Sequence, residues 1–160
     1  DMSLLKLDAI DIHILSTVQE YGRMSKTALA EKVNLSATPC WTRLNRLENS
    51  GIIRGYHAEI AFELIAKMTT VILEVSLKRH RHRHEDFEIF EKRINELDEI
   101  VECIATGGGV DYILKMVVPS IDEYQKLVDA LLLENLGIDR YFTYIVTREI
   151  KSSKPKLTTI

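Results

Sequence analysis

The hydrophobic pattern changes period along the chain. Up to about residue 50, apolar positions recur every three or four residues, the spacing of helices with one buried face. Leu7, Ile10, Ile14, Leu15 and Val18 form one such stripe. A helix is therefore predicted over 7–21, with Asp8 and Asp11 favouring its N-terminal end and Gly22 ending it. A second stripe, Leu29, Ala30 and Val33, predicts a helix over 26–33. After a break at Asn34-Leu35, a third carries Cys40, Leu44 and Leu47 at i, i+4 and i+7. Ser36 is expected to cap that third helix with its hydroxyl. Pro39 fits its first turn, and Gly51 is expected at the C′ position. Residues 52–62 read as extended with Gly55 as a bend, and 63–67 as a connection.

From residue 69 the period is two, interrupted by two helical stretches. Strands are predicted over 69–77, 100–106, 111–118 and 141–150, and helices over 85–97 and 122–133. Gly107, Gly108 and Gly109 form a turn between the second and third strands. The order βαββαβ is a ferredoxin-like split unit. Its helices cover one sheet face. The other face carries Ile, Val and Tyr as well as polar groups and is expected to pack on a second copy. Residues 152–160 begin polar and are expected to be loose, and no solenoid repeat is present. The predicted fold class is α+β: an N-terminal winged helix-turn-helix joined to a C-terminal ferredoxin-like βαββαβ domain. The divisions are 1–54 for the winged helix-turn-helix, 55–67 as ribbon and linker, 68–151 for the βαββαβ domain, and 152–160 as tail.

The polar side of the third helix carries the first candidate chemistry. At about 100° per residue, Thr38, Thr42, Asn45 and Asn49 fall opposite Cys40, with Trp41 and Arg46 flanking them and Arg43 nearer the core edge. Short hydrogen-bonding groups, guanidinium forks and one aromatic edge suit a helix laid against base edges. Two helices across a tight turn, followed by an extended ribbon, read as a winged helix-turn-helix. An ordinary two-helix hairpin with a solvated face shares the pattern. The predicted partner is double-stranded DNA, and the predicted contacts are Lys26, Thr38, Trp41, Thr42, Arg43, Asn45 and Arg46.

The net charge of −3 does not advertise nucleic-acid binding, but its distribution does. Between Tyr21 and Tyr56 the bases Arg23, Lys26, Lys32, Arg43, Arg46 and Arg54 face only Glu31 and Glu48, whereas acids outnumber bases from Ala61 onward. Cys40 and Cys103 are the only cysteines, one on a buried stripe and one on a strand, so neither a disulfide framework nor a redox switch is expected. No apolar run reaches the roughly 18 residues of a membrane span. No signal peptide is expected at the start, and Asp1 is read as the mark of a trimmed or tagged chain. A cytoplasmic location follows as the expectation. No nucleophile triad, P-loop or dinucleotide fingerprint is present, so neither an enzyme nor a cofactor is expected.

His80, His82 and His84 alternate with Arg79, Arg81 and Arg83. On a strand those imidazoles would share a face, and a metal-responsive winged-helix repressor is the alternative reading. The interleaved arginines repel a divalent cation, and Glu85, Asp86 and Glu88 pair with them more simply. A solvated loop is expected there, without metal. His13 and His57 stand singly and are expected to be structural.

The runs LDAIDIHIL (7–15), LAEKVNLSATPCWTRLNRLENSGII (29–53) and GGVDY (108–112) resemble the Lrp/AsnC family of feast/famine regulators, and the resemblance covers nearly the whole chain. It implies a cytoplasmic transcription factor that forms homodimers, often assembled further to octamers, with a C-terminal amino-acid-sensing module. Matched onto this sequence, the family's effector site falls on Gly107, Gly108, Gly109, Asp111 and Tyr112, with Thr143 on the last strand as an additional candidate. A glycine turn can present N–H groups to a carboxylate, and Asp111 can take an α-ammonium. The same residues also fit a plain hairpin, with Asp111 capping the turn and Tyr112 in the core.

Overall fold

A computed structural model describes residues 5–79 and 84–157. The chain divides into two units, one running to Ile60 and including the residues from Ser152, the other Ala61–Lys151.

The first unit contains helices α1 (Ala9–Tyr21), α2 (Lys26–Val33) and α3 (Ala37–Asn49). Asp8 and Asp11 begin α1 with a reciprocal capping box: Asp11 N–H donates to Asp8 Oδ1 at 2.8 Å, and Asp8 N–H donates to Asp11 Oδ2 at 3.1 Å. Ser25 caps α2 by accepting from Ala28 N–H at 3.2 Å. Asn34 leaves α2 in the left-handed region at φ 54° and turns the chain into α3. Ser36 holds the N-cap position of α3, but its side chain makes no capping bond; only its carbonyl accepts, from Cys40 N–H at 3.2 Å. Gly51 follows α3 at φ +80°, where a side chain is strained. The predicted stripes meet as Ile14, Leu15 and Val18 against Leu29, Ala30 and Val33 against Cys40, Leu44 and Leu47. The wing segment after α3 forms no strand among the described residues, although Ile53 and Tyr56 pack on this core. As far as Leu157 the tail is not loose. Leu157 packs on the same core, and Gln19 Nε2 donates to the Pro155 carbonyl at 2.8 Å.

The second unit begins with a 3-10 turn, Phe62–Leu64, where the stretch expected to be extended gives way to the expected connection. It continues as β1 (Thr69–Leu77), α4 (His84–Asn95), β2 (Ile100–Ala105), β3 (Tyr112–Val118), α5 (Ile121–Leu133) and β4 (Ile138–Ile145). The strand order is β2-β3-β1-β4, with every neighbouring pair antiparallel. One face buries Val71, Leu73, Val75 and Leu77 beside Tyr112, Leu114, Met116 and Val118, under Phe90 and Ile94 of α4 and Tyr124, Val128 and Leu131 of α5. Each such side chain contributes about 1.5–3 kcal/mol by leaving water. Arg93 joins Glu134 across α4 and α5 at 2.6 Å, but both are about a third exposed. Exposed pairs of this kind stabilise little, so packing holds the unit together.

The last strand lies earlier than its predicted 141–150. Asn135 at φ 57° and Gly137 at φ 78° reverse the chain directly after α5, so pairing starts at Ile138. The register ends at Ile145 opposite Val71, and Val146 N–H still donates to the Thr70 carbonyl at 2.9 Å. On the helix-free face, Ile72, Ile113 and Val117 are half-buried, while Ile104, Phe142 and Tyr144 are 50–54% exposed.

Candidate DNA-binding and effector-binding sites

Helix α3 presents the predicted polar face. Thr38, Thr42 and Arg46 are exposed; Trp41, Arg43 and Asn45 are half-buried at its margins. Thr42 Oγ1 donates to the Thr38 carbonyl at 3.1 Å, which turns its hydroxyl back along the helix. Lys26, at the start of α2, lies with Nζ 4.2 Å from the centre of the Trp41 ring. That cation–π contact, worth about 0.5–1 kcal/mol at an exposed site, sets a positive charge beside the first turns of α3.

Arg43 and Arg46 do not project alone. Arg43 Nη1 donates to both oxygens of Asp8, at 2.8 and 2.7 Å, and to Asp11 Oδ1 at 3.0 Å. Arg46 Nη2 donates to Asp11 Oδ2 at 2.5 Å. Asp11 is only 1% exposed. Its burial raises the carboxyl pKa, but bonds from Arg46, from the Asp8 N–H and from Arg43 outweigh burial and hold it below the usual carboxylate range. Asp8 is held at about 2, chiefly by its bond from Arg43 and then by the Asp11 N–H. Sequence reasoning gave these two aspartates only a helix-dipole role. Their i, i+3 spacing at a helix start is a capping-box signal that was legible; their arginine partners, 32 to 35 residues away, were not.

This cluster predicts an acid limit. Both carboxyls have folded pKa values below the unfolded 3.8, so their stabilisation is present above that value and is lost as pH falls through the folded values, about 2 for Asp8. Trp41, the single tryptophan, sits in this unit and reports the transition. Its fluorescence should hold from neutral pH to about 5 and then change between about 4 and 2. The Asp11→Asn variant should show a shallower change. A flat signal down to pH 2 would mean that the pairs contribute nothing.

The second candidate site splits. Gly107, Gly108 and Gly109 form an exposed turn, and a side chain built at any of the three would meet no atom within 4 Å. None of them occupies the left-handed region. Thr106 N–H donates to the Asp111 carbonyl at 2.9 Å, and the Thr106 hydroxyl bonds the Val110 carbonyl, so the turn is closed at its base. Asp111 ties that base to β1. Its N–H donates to the Val75 carbonyl at 3.0 Å, and its Oδ2 accepts from Leu77 N–H at 2.7 Å. Tyr112 turns to the helix-covered face. It is buried against Phe90 at 4.6 Å between ring centres, and its hydroxyl donates to Glu91 Oε1 at 2.7 Å. Burial and that bond push the hydroxyl pKa well up. Tyr112 borders a groove of about 310 Å³ shared with Glu91, Asn95 and Cys103, a neighbourhood sequence reasoning did not single out. Thr143 lies on β4, with β1 between it and β3, and its hydroxyl bonds Tyr124. The structure therefore brings Asp111 to the glycine turn and directs Tyr112 and Thr143 into helix-side packing.

His80 and His82 lie outside the described residues. His84 opens α4 and meets Glu88 at 3.0 Å. Cys40 is buried and Cys103 exposed, both as free thiols. No helix among the described residues is long and apolar enough to cross a membrane.

Comparison with known proteins matches residues 7–54 to the profile for winged helix-turn-helix DNA-binding domains. Residues 70–155 match the profile for the Lrp/AsnC ligand binding domain. The transcriptional regulatory protein DoeX of Halomonas elongata is 45% identical over 147 residues, covering 92% of either chain. The leucine-responsive regulatory protein of Escherichia coli K12 is 39% identical over 92% of this chain and 88% of its own. Among solved structures, a Neisseria meningitidis transcriptional regulator in complex with L-Met superposes with a TM-score of 0.84 at 31% identity, covering 92% of this chain and 94% of that one. An AsnC family transcriptional regulator from Agrobacterium tumefaciens gives a TM-score of 0.87 at 29% identity, covering 96% and 99%.

Proposed function

We propose, from the premise that this chain belongs to the Lrp/AsnC family of DNA-binding transcriptional regulators, that its DNA binding is controlled by an amino acid or a close derivative held at Gly107–Gly109 between C-terminal units. The premise makes it a regulator with a ligand-binding domain and not an enzyme; the effector class and its position are the proposal.

The observation that carries the reading is the glycine turn. Neither backbone conformation nor packing within the chain requires glycine at these three positions. Close approach of another molecule is the remaining physical use of a missing side chain. A carboxylate set against exposed N–H groups gains charge-assisted bonds without any bulky side chain. Asp111 at the root of the turn receives the ammonium. A carboxylate can accept several donors, so its bond from Leu77 N–H is compatible with that role. Tyr112 acts from the core side by holding the start of β3, and Thr143 acts through β4. On the DNA side, Thr38, Trp41, Thr42 and Asn45 face the major groove, while Lys26, Arg43 and Arg46 meet phosphates, with one base contact from Arg46. The chain works in the cytoplasm as a homodimer, which assembles further toward octamers. Its helix-free sheet face supplies the apolar contact.

The deciding experiment is a thermal-shift screen of the full chain against the proteinogenic amino acids. Methionine and leucine come first, because a similar structure holds L-Met and several relatives are named leucine-responsive. A ligand at a hundred times its Kd stabilises the native state by about 2.7 kcal/mol. Asp111→Asn keeps an oxygen for Leu77 N–H and removes the charge. It should bind the identified effector at least about tenfold more weakly, with effector-free operator binding unchanged. Equal effector affinity in calorimetry would return Asp111 to a turn residue. No shift with any amino acid would remove the effector class.

A further inference from the structure

We propose that Asp11, buried at the start of α1, is a positioning residue that sets the sequence discrimination of α3 by gripping both of its arginines. The inference rests on the reading that α3 lies in the major groove. It assigns a DNA-recognition role to a residue whose burial keeps it from touching DNA.

The geometry is a two-handed hold. The two oxygens of Asp11 take different arginines, Arg43 Nη1 at 3.0 Å and Arg46 Nη2 at 2.5 Å. Arg43 and Arg46 stand at i and i+3 on α3, so one carboxylate draws neighbouring side chains together. Asp8 adds a second grip on Arg43 through the same Nη1. Each guanidinium thus binds carboxylate through one terminal nitrogen. A guanidinium has five N–H donors in a rigid fork, so each arginine keeps donors on nitrogens other than the one that meets the carboxylates. Asp11 cannot wander, because its other bond is from the Asp8 N–H within the capping box. The anchor is therefore part of the helix start itself.

Two consequences follow for recognition. An arginine already held in one rotamer loses less freedom on meeting a base, so the correct contact is favoured over alternatives the side chain would otherwise adapt to. The second consequence is electrostatic. Asp8, Asp11, Arg43 and Arg46 sum to zero charge. Binding that depends on phosphate attraction alone is weakened by the carboxylates, whereas directional base contacts are kept. The cluster suppresses indiscriminate binding in a chain whose overall charge is already −3.

The test uses the full chain, with Asp11→Asn and Asp8→Asn variants. The probes are a duplex enriched from a random-sequence pool by the wild-type chain and a scrambled duplex of the same composition. Fluorescence anisotropy is recorded between about 50 and 200 mM salt. For Asp11→Asn, the ratio of the two affinities should fall about tenfold. The salt slope on the scrambled duplex should steepen by about 0.9, the contribution of one added phosphate contact. Asp8→Asn should move both readings in the same direction and by less, since it loosens Arg43 alone. Asparagine caps a helix as well as aspartate does, so Asp8→Asn decides the matter if Asp11→Asn does not fold. Wild-type ratio and slope in the folded variants, whatever their Tm, would reduce the cluster to an ordinary structural ion pair and overturn the inference. A wild-type chain that enriches no sequence would overturn the groove reading itself, and the inference with it.

Discussion

Replacing Arg43 and Arg46 together by alanine should cost the first unit more stability than any other surface change, as well as its operator affinity. Asp11 is 1% exposed and would keep only the Asp8 N–H as a partner. Removing one side of a buried ion pair costs about 3–5 kcal/mol, because the remaining charge stays out of water. The arginines themselves are 30% and 45% exposed, so solvent screening lowers the expected loss to about 2–3 kcal/mol. Against a typical stability of about 5–15 kcal/mol, the urea midpoint reported by Trp41 should drop clearly. Lost operator binding in this double variant would then have two explanations. Adding Asp11→Asn separates them, because it removes the stranded charge. The triple variant should recover part of the urea midpoint while its operator affinity stays low. Wild-type operator affinity in the triple variant would end the DNA-contact assignment of both arginines. An unchanged midpoint in the double variant would show that Asp11 does not need them.

Elements that bury one face were legible in the sequence because burial imposes a period. Cys40, Leu44 and Leu47 could lie on one stripe only in a helix, and all three are buried. The alternation in 112–118 already put Tyr112 with Leu114, Met116 and Val118, so its core position follows from parity alone. Features that depend on partners far along the chain were not legible. β4 begins at Ile138 opposite Leu77, a partner that no local signal in 141–150 contains. Thr143 faces the helices because it pairs with Leu73, a tertiary register. Leu157 follows a polar stretch and looked detached, yet it finds the α1–α3 core. Of the candidate site, the glycine turn and the polar face of α3 were visible as residue types in a pattern. The capture of Arg43 and Arg46 by Asp8 and Asp11 was not, because each aspartate already had a sufficient local explanation at a helix start.

The other large effect should come from the helix-free sheet face. Ile104, Phe142 and Tyr144 are each at least half exposed there, beside the half-buried Ile72, Ile113 and Val117. In the register, Ile104 faces Ile113, Phe142 faces Glu74 and Tyr144 faces Ile72, so the apolar residues extend across all four strands. Apolar surface of that kind, with Glu74 and Lys115 set among it, is the expected association site. In the proposed homodimer a two-fold contact would set the face against itself, and two copies of α3 would meet half-sites about one helical turn, or a multiple, apart. The double variant Ile104→Asp/Phe142→Asp would place charges of one sign in that contact, and a self-complementary interface brings each toward its own copy. The protomer should still fold, since neither side chain belongs to the helix-covered core. Light scattering at micromolar concentration should give the mass of one chain. Loss of linked half-site binding should lower operator affinity by about 10²–10⁴, while affinity for an isolated half-site should stay near that of the wild type. A variant of wild-type mass and wild-type operator affinity would show that this face is not the interface.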